Sequence, residues 1–132
     1  MKIIADTNLL VRAAISDDAE QGRLAKGVLE RAELVAVPVV ALCEFCWVLS
    51  YTYKHGGDEI ARAIRVLGAS GNVAFDWPAV DAGLAMLDAG GDFADGVVAQ
   101  AGQRLDGETF VSFDRKAIAL LRAQGKKVLL PQ

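Results

Sequence analysis

Four acidic residues stand where a folded chain could gather carboxylates around a cation. Asp6 and Asp114 each follow a short apolar run and precede a helical pattern, and Asp95 lies in the first turn of another helix. Glu44 is the one charged residue in the apolar stretch from Val39 to Tyr53. If the four faced a common pocket, each would raise the pKa of the others unless a cation neutralised them. Mg²⁺ binds carboxylates together with water and phosphate, so the pattern indicates metal-assisted hydrolysis of a phosphodiester.

Each acid also has a simpler explanation. Asp6 and Asp114 precede helices and could act as N-caps. Asp92 is a natural N-cap as well, and Asp95 stands three residues later, where a capping-box acid would lie. We expect Asp92 to cap its helix and Asp95 to point towards the strand ends. Glu44 could instead lie on a narrow exposed stripe or pair with an arginine.

Strands and helices that must position these residues alternate along the chain. The predicted strands are Ile3–Ala5, Glu33–Val37, Asn72–Phe75, a run from Thr109 to Ser112, and Val128–Leu130. Seven helices are predicted. Three begin directly after or at an acid, namely at Asp6, Asp92 and Asp114. The other four run from Asp17-Asp18 to Arg31, from Val39 to about Tyr53, from Gly56 to Gly68, and from Trp77-Pro78 to Gly90-Gly91. This order predicts an α/β fold, in which a central, mostly parallel sheet of four to five strands is flanked by helices.

Two of these elements are expected to be deeply buried. Ile3–Ala5 reads as a central strand covered on both faces, and the helix from Val39 is apolar almost all round. We expect a single domain over residues 1–132.

Composition limits the kind of protein. The 53% of hydrophobic residues favours a fold with a buried parallel sheet. The net charge of −3 argues against a protein that holds nucleic acid mainly by bulk electrostatics. An enzyme that meets phosphate through a bound metal stays possible. The sequence has no apolar run of membrane-spanning length and no signal-peptide pattern, so we expect a cytoplasmic protein without membrane attachment.

Several ordered motifs resemble the PIN-domain family, and within it the VapC-type toxins of bacterial toxin–antitoxin pairs. These are Ile3-Ile4-Ala5-Asp6-Thr7-Asn8, Glu44 in its apolar helix, Asp92-Phe93-Ala94-Asp95 and Ser112-Phe113-Asp114-Arg115. The resemblance covers essentially the whole chain, and although Asp-Thr-Asn alone is a weak motif, the ordered set is specific.

The resemblance implies an endoribonuclease that depends on Mg²⁺ or Mn²⁺ and cuts single-stranded regions of RNA. Its metal ligands would be Asp6, Glu44, Asp95 and Asp114, with Asp92 either a helix cap or a further ligand. Thr7, Asn8 and Ser112 would support the pocket by hydrogen bonds. The family resemblance further implies a homodimer silenced by a small VapB-like antitoxin, which often inserts a basic side chain into the acidic pocket.

Basic residues could guide RNA towards such a pocket, although ordinary surface solubility explains them too. The candidates are Arg12, Arg23, Lys26, Arg115 and Lys116.

Other classes of protein compete with the nuclease. Cys43 and Cys46 have the spacing of a redox dithiol but fall inside a helix instead of at its start, so we interpret both as reduced core residues. A Mg²⁺-dependent phosphatase would need a second acid where Asn8 stands, and a phospho-acceptor domain could use Asp76 but lacks paired acids after the first strand. A catalytically inert interaction module would be expected to have lost some of the four acids.

Overall fold

The computed structural model describes the whole chain, Met1 to Gln132. Its elements are β1 (Lys2–Ile4), α1 (Thr7–Ala14), α2 (Ala19–Arg31), β2 (Leu34–Val37), α3 (Val39–Tyr51), α4 (Gly57–Gly68), β3 (Val73–Phe75), α5 (Trp77–Asp88), α6 (Phe93–Arg104), β4 (Thr109–Val111), α7 (Arg115–Ala123) and β5 (Lys127–Leu129). None of these helices combines the length and apolar character needed to cross a membrane.

All strand pairings are parallel. β1, β2 and β3 form a three-stranded sheet in that order, with Ile3 beside Val35. β4 and β5 form a separate two-stranded sheet, with Phe110 beside Val128. The predicted α/β class and the parallel pairing are confirmed, but the five strands are divided between two sheets.

The chain divides into two compact units, Met1–Asp76 and Trp77–Gln132. In the first unit, α1 and α4 pack against α3, and the side chains that are essentially inaccessible are Val35, Leu42, Phe45, Leu49 and Ile64. In the second unit they are Val80, Met86, Phe93 and Leu121. The expected single domain over residues 1–132 stays a prediction.

Two predictions of burial are wrong. β1 is an edge strand of its sheet, because β2 lies in the middle, and the Ile4 side chain is 78% exposed. α3 is buried on one face only, because Val40, Trp47 and Tyr51 are exposed on the other. An apolar sequence shows that a surface can be buried, but it does not say which neighbours exist to cover it.

Close packing of α5 on α6 fixes the start of α6, where Asp92 and Asp95 lie. A Cβ atom at Gly96 would overlap the carbonyl group of Ala82 on α5, and one at Gly83 would overlap the ring of Phe93. The backbone of α6 therefore approaches that of α5 closely at Gly96, and Gly83 leaves room for the Phe93 ring.

Candidate active site

Asp6 follows β1 and occupies the N-cap position of α1. Its backbone has the extended conformation of an N-cap, with φ −79° and ψ 158°, but its side chain accepts no capping hydrogen bond. The carboxylate is exposed. Capping therefore does not account for an acid at this position, and both carboxylate oxygens stay available for another ligand.

Thr7, the next residue, connects Asp6 with Glu44. The Thr7 side chain is only 8% exposed, and its Oγ1 lies 3.2 Å from Glu44 Oε2 and 3.3 Å from the carbonyl oxygen of Ala41. A hydroxyl carries one proton, so these two acceptors share it. Because α1 packs on α3, this contact holds the Glu44 carboxylate against the residue that follows Asp6.

Glu44 itself is exposed and lies on the open face of α3. The burial expected for it is wrong, and the alternative of an exposed stripe describes it better. A carboxylate in contact with water avoids the cost of burying a charge, and Glu44 accepts the Thr7 hydrogen bond while its exposed side can contact another ligand.

Two acids of the second unit cap helices. Asp92 caps α6, with Oδ1 accepting a hydrogen bond from the Ala94 N–H at 3.3 Å. Asp114 caps α7, with Oδ1 accepting from the Ala117 N–H at 3.0 Å. The Ser112 hydroxyl oxygen accepts from the N–H of Asp114 at 3.0 Å. These hydrogen bonds fix the directions in which the two carboxylates leave the backbone.

Asp95 has a different environment, since it is half-buried in the first turn of α6. Burial raises the pKa of its carboxyl group above the usual value, and the negative charges of Asp92 and Asp114 raise that pKa further. Within the second unit, Asp92 and Asp114 thus both oppose the ionised form of Asp95. A bound cation would relieve this repulsion and favour the ionised form of Asp95.

The donor atoms suit a hard divalent cation, because all are carboxylate oxygens. No three or more Asp, Glu, His or Cys side chains, however, stand close enough together to hold a metal ion. The carboxylate oxygens therefore have the chemistry that Mg²⁺ or Mn²⁺ requires. The structure does not bring three or more of these side chains together as a metal site.

The remaining predicted site residues have varied positions. Asn8 is exposed on the first turn of α1, and Arg115 and Lys116 are exposed on the first turn of α7. Arg12 forms an ion pair with Asp17 at 3.2 Å, so an anionic ligand would have to compete with that carboxylate.

The dithiol alternative finds no support in the structure. Neither Cys43 nor Cys46 forms a disulfide. Both lie inside α3, away from its N-terminus, whereas redox dithiols stand at the start of a helix. Cys46 is buried, as expected of a core residue, whereas Cys43 is half-buried.

One feature near Glu44 escaped the sequence-based prediction. Trp47 and Tyr51 stack on the exposed face of α3, with ring centroids 4.7 Å apart and an interplanar angle of 11°. The Lys54 Nζ lies 5.0 Å from the centroid of the Tyr51 ring. The spacing of three and four residues from Glu44 to Trp47 to Tyr51 was the available signal, because it places all three on one helix face.

The sequence pattern of the family described as the PIN domain matches residues 3–123. No curated protein matches the chain.

Proposed function

Since the chain belongs to the PIN-domain family, we propose that it is an endoribonuclease that cuts single-stranded RNA with the help of Mg²⁺ or Mn²⁺. PIN domains are in general metal-dependent nucleases that act on nucleic acid. The finer assignment to RNA follows from the resemblance to VapC-type toxins.

One observation carries this proposal. Asp6 occupies the N-cap position of α1, yet its side chain makes no capping hydrogen bond. The acids before α2, α6 and α7 all accept such a bond. An uncapped helix end lowers stability by about 1 kcal/mol, so an acid that leaves the end uncapped requires another role. Binding of a cation is the role that the family offers.

The proposed ligands are Asp6, Glu44, Asp95 and Asp114, with Asp92 as a possible further one. When bound, the ion would stabilise negative charge on the scissile phosphate and lower the pKa of an attacking water. Thr7 would orient Glu44 through its 3.2 Å hydrogen bond.

In the second unit, Ser112 would orient Asp114 by accepting a hydrogen bond from its N–H. The raised pKa of Asp95 supports the same role, because a cation would offset the charges of Asp92 and Asp114 that help to raise it. Asn8, Arg115 and Lys116 are exposed and would contact the RNA or the edge of the site.

The proposal includes a toxin role in the cytoplasm, a homodimer and a small antitoxin. A groove of about 560 Å³ in the first unit supports the proposal that an antitoxin binds this protein. The groove is lined by apolar residues that include Leu10, Phe45 and Leu49, and by the charged residues Lys26 and Glu59. An amphipathic helix could bury its apolar face in such a groove and pair its charges at the edge.

The decisive experiment compares two variants that change the same residue type at the same helix position. Asp6→Asn should lower RNA cleavage at least a hundredfold, because the ligand loses its charge. Asp18→Asn, at the N-cap of α2, should cut like the wild type, since Asn also caps. Cleavage should require Mg²⁺ or Mn²⁺ and stop with excess chelator.

Equal cleavage by Asp6→Asn and the wild type would refute the site, and cleavage in chelator would refute the metal. The toxin role has a separate test in growing cells. Expression of the wild type should arrest growth, and expression of Asp6→Asn to the same level should not. If both chains are tolerated, the toxin role is wrong.

A further inference from the structure

The exposed ring pair on α3 is unusual for a surface. Trp47 is 60% exposed and Tyr51 is 64% exposed, although both rings are large and apolar. Their stacking at 4.7 Å with nearly parallel planes leaves a broad, flat aromatic surface in contact with water. An exposed pair of this kind offers a flat face on which an unpaired base can stack.

A cation completes this surface. Lys54 follows α3 and has a φ of 58°, a left-handed conformation that is uncommon for a residue with a side chain. Its ammonium group lies 5.0 Å from the centroid of the Tyr51 ring, within the range of a cation–π interaction. The surface formed by Trp47, Tyr51 and Lys54, here named the stacking surface, therefore combines aromatic rings with a positive charge.

The stacking surface adjoins the acidic group of the first unit. Glu44 and Trp47 are three residues apart on α3, hence on the same face. Three residues correspond to about 4.5 Å along a helix axis, a separation that one nucleotide can span. A nucleotide whose phosphate met a cation at Glu44 would thus have its neighbouring base beside the Trp47 ring.

We propose that the stacking surface binds the bases of single-stranded RNA next to the cleaved phosphate. The Trp47 ring stacks on one base, Tyr51 supports that ring from behind, and Lys54 pairs with a phosphate of the same strand. Aromatic rings with a nearby cation are the usual means of binding unpaired bases without reading their sequence. This inference rests on the proposed function, because Glu44 marks where the phosphate would lie.

A second copy of the chain is the competing occupant, and charge argues against it. The core of a protein–protein interface is depleted of charged residues, but the stacking surface has the Glu44 carboxylate on one side and the Lys54 ammonium on the other. Covering this face with an apolar partner would bury a carboxylate without a cation, which is costly. RNA brings phosphates for Lys54 and bases for the rings.

Binding of RNA can be measured apart from cleavage. Every chain carries Asp6→Asn, which prevents cutting of the strand. A labelled RNA decamer and a matched decamer with abasic sugars are compared by fluorescence anisotropy, so the two ligands share their charges and differ only in bases. Trp47→Ala should weaken binding of the RNA by about 5- to 150-fold, the range for the loss of one stacked base, and leave the abasic strand unaffected. Trp47→Phe should restore most of the affinity.

Val40→Ala is the matched control. Val40 is 67% exposed and lies seven residues before Trp47 on the same face of α3, but it carries no ring. Its replacement should not change RNA affinity. In chains with Trp77→Phe, Trp47 is the only tryptophan, and the RNA but not the abasic strand should quench its fluorescence.

Three outcomes would overturn the inference. Equal affinity of Trp47→Ala and its parent for RNA would show that no base stacks there. Equal binding of the two strands by the parent would show that the protein senses charge alone. A loss of self-association in both Trp47→Ala and Val40→Ala, with unchanged RNA affinity, would assign this face to a second copy.

Failure of the inference can be distinguished from failure of the proposed function. If the wild type cuts RNA with Mg²⁺ but the stacking tests fail, only the inference is wrong. If the stacking tests succeed and the wild type does not cut, the surface binds RNA and the nuclease assignment is wrong. In a chain that does cut, Trp47→Ala should raise KM and leave kcat unchanged.

Discussion

Replacement of Gly96 by alanine tests the close approach of α5 and α6, on which the position of Asp95 depends. The new Cβ would overlap the carbonyl oxygen of Ala82 and lie 2.7 Å from its carbonyl carbon and 2.8 Å from Met86 Cγ. Met86 can adjust its rotamer, but the Ala82 backbone cannot move without shifting α5. We therefore place the strain near the upper end of the range for overpacking, about 3 kcal/mol.

The same helix offers a control for the intrinsic effect of the substitution. Gly102 also lies in α6, and a Cβ there would meet nothing within 4 Å. Gly102→Ala should raise the free energy of unfolding by about 0.5–1 kcal/mol, because alanine favours the helix. The same gain offsets part of the strain at Gly96, so Gly96→Ala should lose about 2 kcal/mol. The two variants should differ by about 3 kcal/mol.

Thermal unfolding followed by circular dichroism at the helical band measures this difference. For a chain of this size, 3 kcal/mol corresponds to a separation in Tm on the order of 10 °C. Gly96→Ala should also cut RNA more slowly than Gly102→Ala, since a shifted α6 displaces Asp95. If both variants are more stable than the wild type, the two helices do not approach closely at Gly96, and the reasoning fails.

Two further predictions concern the acidic groups. Burial and the charges of Asp92 and Asp114 raise the pKa of Asp95, so the ionised carboxylate opposes folding above its folded-state pKa, and this cost disappears as the pH falls through that value towards the unfolded one. Asp95→Asn should therefore raise Tm at pH 7 in chelator and give little change near pH 3; a gain that is equal at both pH values would show that charge is not the cause. Thr7→Val removes the hydroxyl that contacts Glu44 and should lower the free energy of unfolding by about 1 kcal/mol and slow cleavage, whereas Thr7→Ser should preserve both; unchanged cleavage by Thr7→Val would mean that Glu44 needs no orientation.

Local signals in the sequence predicted the secondary structure well. Asp18 accepts a hydrogen bond from Gln21 N at 2.9 Å and begins α2 as an N-cap, and Pro38 ends β2 directly before α3. These features depend on hydrogen bonds and backbone angles within a few residues, so the sequence alone determines them. The alternation of strands and helices likewise predicted the parallel pairing.

The residue types at the candidate site were also readable from the sequence. Asp6, Glu44, Asp95 and Asp114 were identified as acids at strand ends or in apolar surroundings, and their donor atoms suit a hard cation. The sequence did not distinguish the acid that caps from the acid that does not. Asp6 and Asp114 both precede helices, yet only Asp114 accepts the capping bond.

Burial was decided by tertiary structure alone. α3 is apolar almost all round, but α1 and α4 cover only part of it, which leaves Glu44 and the Trp47–Tyr51 stack exposed. β1 lies at an edge because β2 occupies the centre of the sheet. The pKa of Asp95 is raised because helix packing buries its carboxyl group and because the fold brings it near the charges of Asp92, three residues away, and Asp114, distant in sequence. Hydrophobicity is a property of each residue, whereas exposure and electrostatic environment depend on which other residues the fold brings alongside.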